Sequence, residues 1–199
     1  MYWPVIMKDV VKAVQEFFGA RSILKEINST FLVLIPKVPG VDTLDKFKPM
    51  SLCNSFYKII SKVLTLRLIK LLPLIISLQQ SSFVLGRQIL DSVMMVHEVI
   101  HSMEARKREG MLLKLDMSKA YDRGDWSFLE MVLKAFGFDV KSCKLISQLV
   151  STPSLAVLVN GSPSDFFKPT RGLRQGYPLS PILFIILAEC IGRLIERKE

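Results

Sequence analysis

Apolar residues recur at helical spacing from Val5 to Phe18, so an amphipathic helix is expected there, with Gly19 as its stop. The pattern then changes. Thr30 to Ile35 is a β-branched and aromatic run closed by Pro36, which reads as a strand, and Val38 to Asp45, containing Pro39-Gly40, reads as a loop. Helical spacing returns from about Ser55 to Leu72 and again from Gln88 to Arg108. After Gly110 the short apolar run Met111 to Leu115 ends at Asp116 and is expected to be a strand whose last residue is a carboxylate. Ser127-Phe128-Leu129-Glu130 fits a capping box that opens a helix to about Phe136, stopped by Gly137, and a further helix is expected from Val140 to Leu149. Leu155 to Val159, Asn160-Gly161 and Phe166 onward predict a hairpin, because Asn-Gly supplies the positive φ angles of a tight turn. The final helix starts near Pro178 or Pro181, either of which suits a first helical position, and continues to the chain end. The result is a helix-rich mixture of α and β with a small antiparallel sheet.

Composition narrows the picture only a little. A chain of 199 residues, 50% apolar, is long enough for one core, burying roughly 70% of its unfolded surface. Lys and Arg number 27 against 18 Asp and Glu, a net charge of +9, which suits a polyanionic partner or simply a basic surface. The one tight basic run is Arg106-Lys107-Arg108. Cys53, Cys143 and Cys190 form no Cys-x-x-Cys pair, which argues against a zinc ribbon or a disulfide framework. No apolar run reaches the roughly 18 residues of a membrane span, and the start lacks the form of a secretory leader. A nuclear or cytoplasmic protein without membrane contact is expected; nothing indicates its oligomeric state.

Candidate chemistry enters with Asp116. Polymerases join nucleotides by in-line phosphoryl transfer between two magnesium ions held by carboxylates on a rigid edge, and an aspartate at a strand end suits that task. Two strings sharpen the idea: Lys114-Leu115-Asp116-Met117-Ser118-Lys119-Ala120-Tyr121-Asp122-Arg123, and Asn160-Gly161-Ser162 followed by Arg171-Gly172-Leu173-Arg174-Gln175-Gly176-Tyr177-Pro178-Leu179-Ser180-Pro181. With Leu34-Ile35-Pro36-Lys37, Phe47-Lys48-Pro49-Met50-Ser51-Leu52 and Gly86-Arg87-Gln88-Ile89 in the same order, the chain closely resembles the reverse transcriptases of LINE-type (non-LTR) retrotransposons. Taken singly, each residue is also an ordinary turn, core or surface residue; the ordered set carries the resemblance.

The resemblance implies an RNA-directed DNA polymerase domain of the right-hand type. Residues 1–110 would form its fingers and 111–199 a partial palm sharing one core. Partners would be an RNA template, a DNA primer and a deoxynucleoside triphosphate, with Mg2+ as cofactor. Asp116 would be the catalytic residue and first metal ligand, beside the carbonyl of Met117. Tyr121 would sit under the incoming sugar and reject a 2′-hydroxyl by bulk. Lys37 and Lys48 would reach the triphosphate, Gln175 and Gly176 the nascent base pair, and Arg171 and Arg174 the template phosphates.

The sequence departs from the family at three points. Lys48 stands where arginine is usual, replacing a planar two-pronged donor with a point charge. Tyr177 stands where aspartate is usual, removing a helix cap worth about 1 kcal/mol, although Ser180 before Pro181 could cap a later start. The paired aspartate that completes the family's metal site has no counterpart here, since no Asp follows Asp165. A chain unable to polymerise alone is therefore expected.

Two rival readings remain. A non-catalytic nucleic-acid-binding remnant would also explain the charge. His97-Glu98-Val99-Ile100-His101 matches the zinc peptidase pattern, with two histidines one helical turn apart. The plainer account of that segment is a buried stripe of Ile89, Val93, Val96, Ile100 and Met103 with the histidines on its rim.

Overall fold

The run beginning at Thr30 does form a strand, and it becomes an interior strand of a four-stranded sheet. In the computed structural model, which describes residues 2–20 and 27–197, β1 (Ser29–Pro36) pairs antiparallel with β2 (Phe47–Leu52) and parallel with β3 (Ser154–Val159). β3 pairs antiparallel with the short β4 (Ser162–Pro163), giving the order β2-β1-β3-β4. The sheet is thus mixed, not purely antiparallel as expected. A parallel neighbour needs a long crossover, and the helices between β1 and β3 supply it. The Asn160-Gly161 turn behaves as expected, with φ of 50° and 82°.

β2 has no counterpart in the sequence pattern, since Pro49 interrupts its run. Its position at the sheet edge explains how the proline is tolerated. The Ser51 N–H points away from β1 and donates to the Gln175 carbonyl at 3.2 Å, so Pro49, two residues earlier, turns its nitrogen to the same unpaired side.

Seven α-helices accompany this sheet among the described residues: α1 (Trp3–Ala20), α2 (Ser55–Leu68), α3 (Leu72–Ile75), α4 (Ile89–Ala105), α5 (Trp126–Ala135), α6 (Val140–Ser151) and α7 (Ser180–Glu196). Asn54 caps α2 by accepting from the Phe56 N–H at 2.9 Å. One core is shared by α2, α5, α6 and α7, where Ile60, Leu133, Leu149 and Ile186 are at most 1% exposed. Side chains of that size each contribute about 1.5–3 kcal/mol when fully buried. Cys53 and Cys143 are buried free thiols, and Cys190 is half-buried. No described helix is long and apolar enough to cross a membrane.

Three further expectations need correction. Residues 111–117 form no strand: they are irregular and exposed and pair with none of the four described strands, so their backbone groups are left to water. α4 buries none of its residues; Ile89, Val93, Val96 and Ile100 are all exposed, since no neighbouring element covers the stripe. The cap of α5 is Asp125 and not Ser127: its carboxylate accepts from the Phe128 N–H at 2.8 Å and the Ser127 hydroxyl at 2.5 Å. α7 begins at Ser180 with Pro181 in its first turn and no side-chain cap, and the last two residues of the expected helix lie outside those described.

Candidate active site

The β1–β2 hairpin sets Lys37 and Lys48. Ile35 pairs with Lys48, and the Lys37 N–H donates to the Lys46 carbonyl at 2.9 Å, so Lys37 and Lys48 project from adjoining strand ends. Both are exposed, and the Lys37 ammonium donates to the Asp45 carbonyl at 3.1 Å.

Tyr121 arrives from a turn in which Lys119 adopts φ of 52°. Its ring stacks on Phe184 of α7, with centroids 5.0 Å apart and planes 19° apart. Partial burial pushes its hydroxyl pKa up.

The loop 171–177 is pinned against this turn. Gly172 donates to the Gly124 carbonyl and Leu173 to the Tyr121 carbonyl, both at 2.7 Å, while the Trp126 indole donates to the Gly172 carbonyl at 2.9 Å. Approach this close requires glycine. At Gly172, with φ of 99°, a Cβ would stand 3.2 Å from the Asp122 carbonyl oxygen. Gly176 has φ of 96°, and its Cβ would stand 3.2 Å from the Ser51 carbonyl oxygen at the edge of β2.

These attachments bring the expected residues together. Lys37, Lys48, Tyr121 and Gln175 line one cleft of about 750 Å³, and Lys48, Tyr121, Gln175 and Gly176 line a second depression beside it. The Gln175 Oε1 is buried and has no hydrogen-bond partner among the described residues.

Three expected residues stand differently. Asp116 is exposed on the irregular segment and does not line the cleft, although its neighbour Met117 does. Arg171 is exposed near Asp125, whose carboxyl is held below its usual range first by the Ser127 hydroxyl and last by this arginine. Arg174 is committed to the protein: it donates to the Tyr177 hydroxyl at 2.5 Å and the Val150 carbonyl at 3.2 Å, with its guanidinium 4.9 Å from the Tyr177 ring centre.

Among the described residues no three potential ligating side chains come together, either at Asp116 or at His97 and His101, which are exposed on α4. Asp116 with one backbone carbonyl does not fit a two-ion centre, which needs several carboxylates. Tyr177, Trp126 and Gly124 hold the site without having been visible as candidates. The glycine spacing in the second string was the one available signal, since it marks close backbone approach.

Residues 35–199 match the family described as reverse transcriptase (RNA-dependent DNA polymerase). The chain belongs to that reverse transcriptase family. Several of its relatives are proteins of transposons and retrotransposable elements, in agreement with the LINE-type resemblance. The chain is 29% identical over 197 residues to the transposon TX1 149 kDa protein of Xenopus laevis, covering 99% of this chain and 15% of the relative. It is 26% identical over 166 residues to the Pol polyprotein of the type-2 retrotransposable element R2DM of Drosophila melanogaster, covering 82% of this chain and 15% of the relative. An Arabidopsis thaliana mitochondrial protein, AtMg01250, is 47% identical over 45 residues, covering 23% of this chain and 37% of the relative. The chain thus spans about 15% of the length of the two transposon proteins. Reverse transcriptases act on nucleic acid template and nucleotide substrates and generally need a divalent metal.

Proposed function

We propose that this chain supplies the nucleotide- and template-contacting part of an RNA-directed DNA polymerase and does not synthesise DNA by itself. The observation that carries this reading is the convergence of Lys37, Lys48, Tyr121 and Gln175 on one cleft from four separate stretches of sequence. Lys37 and Lys48 give two ammonium groups to a triphosphate, where charge-assisted hydrogen bonds are strongest. Tyr121, braced on Phe184, presents a flat wall beneath the sugar and excludes a 2′-hydroxyl by bulk. Gln175 and Gly176 meet the base pair being formed, the orphaned Oε1 accepting from a base or sugar donor. Arg171 faces template phosphate. Arg174 contributes through the loop it ties down.

The divalent ion is magnesium on this reading, with Asp116 and the Met117 carbonyl as partial ligands. Those two groups alone cannot hold a pair of ions. Primer and template are DNA and RNA, and the setting is nuclear or cytoplasmic.

The test is equilibrium titration of deoxynucleoside triphosphate into the chain, alongside primer extension on an RNA template with magnesium. Saturable binding without synthesis is expected. Processive synthesis would overturn the incompetence, and absent binding would overturn the site. Binding of RNA alone, steeply weakened by salt and without nucleotide affinity, would favour the non-catalytic remnant that the net charge of +9 also suits.

A further inference from the structure

The loop that carries Gln175 and Gly176 is anchored by a residue outside the cleft chemistry described so far. We infer that Tyr177 is a positioning residue for nucleotide binding, whose buried hydroxyl fixes the loop 171–177 between β1 and α6. This rests on the nucleotide site proposed above.

Tyr177 is 6% exposed, and its hydroxyl lies 2.9 Å from the Thr30 hydroxyl on β1 and 2.5 Å from the Arg174 Nη1. A guanidinium only donates, so the tyrosine oxygen accepts from Arg174, and it shares a second hydrogen bond with the Thr30 hydroxyl in which either oxygen can donate. That single hydroxyl therefore links strand and loop. Arg174 carries the link onward to the Val150 carbonyl in the last turn of α6, where a cation suits the helix end. Tyr57 completes the clasp: its ring lies 4.8 Å from that of Tyr177, and its hydroxyl donates to the Leu149 carbonyl at 2.5 Å. Two neighbouring carbonyls at the end of α6 are thus satisfied by the two residues that grip Tyr177.

The consequence for the cleft is geometric. Gln175 and Gly176 lie between Arg174 and Tyr177, so both flanks of the base-pair segment are held by one hydrogen bond pair. The backbone between them is fixed to β2 by a single bond, Ser51 to Gln175. Losing the Tyr177 hydroxyl frees one flank and lets Arg174 turn away, while the apolar packing of the ring against Tyr57 stays.

The test uses Tyr177→Phe and Thr30→Val, which remove the hydroxyl pair from either side with little change in volume. The readouts are affinity for deoxythymidine triphosphate, thermal midpoint and the Trp126 indole N–H resonance, which reports the loop through its bond to Gly172. Each variant is expected to bind nucleotide about five- to tenfold more weakly and to shift the indole resonance, at a melting temperature within a few degrees of wild type. The double variant is expected to be no weaker than Tyr177→Phe alone, since that substitution already removes the hydroxyl that Thr30 meets. Wild-type affinity and an unmoved indole signal in Tyr177→Phe would overturn the inference. So would a lowered melting temperature with unchanged affinity, the mark of a purely structural bond. A wild-type chain that binds no nucleotide would sink the site reading and this inference together, and is told apart because the loss precedes any substitution.

Discussion

Glu189 of α7 receives both hydrogens of Ser77, the backbone N–H at 3.1 Å and the hydroxyl at 3.0 Å. The carboxylate is 3% exposed and also accepts from Arg193 Nε at 3.0 Å, while Arg87 donates to the Ile76 carbonyl at 3.1 Å and the Gln80 carbonyl at 2.7 Å. The segment between α3 and α4 is thereby tied to the terminal helix. Glu189→Ala strands the Ser77 donors and is expected to lower unfolding free energy by about 2 kcal/mol, measured by denaturant titration. Glu189→Gln keeps one acceptor and should lose less. A loss near zero for the alanine would show that water replaces the carboxylate at no cost.

Gly172 and Gly137 make a controlled pair. Both have positive φ, 99° and 84°, but a Cβ at Gly137 meets open space and one at Gly172 meets the Asp122 carbonyl. Gly137→Ala should cost about 1 kcal/mol from backbone strain alone. Gly172→Ala should cost about 2–3 kcal/mol and also weaken nucleotide binding, because the loop must retreat from the Tyr121 turn. Equal penalties in chemical denaturation would deny the close approach.

The aspartates at the starts of α5 and α6 predict acid sensitivity. Asp125 is held below its usual range first by the Ser127 hydroxyl, and Asp139 first by Ser142. A depressed folded-state pKa contributes stability that is present above the ordinary aspartate value of 3.8 and lost as pH falls through the folded value. Thermal midpoints should therefore drop below pH 3.8, and Asp125→Ala with Asp139→Ala should flatten that drop while lowering the plateau near neutrality. An unchanged acid slope in the double variant would place the sensitivity elsewhere.

Lys48 offers a gain of function. Arginine there would present a planar fork to the phosphates where lysine presents a point charge. Lys48→Arg is expected to tighten nucleotide binding a few-fold and Lys48→Ala to weaken it about tenfold, both read by equilibrium titration. If neither change moves the affinity, the β1–β2 hairpin does not reach the triphosphate.

What the sequence made legible followed from local rules. The spacing of Tyr57, Ile60, Leu64 and Leu68 announces α2, and Gly137 marks the stop of α5. Asn160-Gly161 announces its turn because positive φ is a property of those two residues. What stayed hidden depends on partners far along the chain. Pro49 looks like a strand breaker until its edge position is known. Met111 to Leu115 looks like a strand, yet apolarity says only that a segment could pair, not that an edge is waiting. The same holds for the exposed stripe of α4. The ordered strings named Lys37, Lys48, Tyr121 and Gln175, and the fold brings these four to one cleft. The grip of Thr30 on Tyr177, 147 positions away, left no trace in either string.

The parallel pairing of β1 with β3 also sets an order of events during synthesis. β1 and β2 leave the ribosome before β3 and can meet as a hairpin, but the other edge of β1 must wait until Ser154–Val159 has been made. Loop closure over so much chain is slow, and an open strand edge attracts foreign strands meanwhile. The nascent chain is therefore most exposed to aggregation, and most in need of a chaperone, in the interval before β3 emerges.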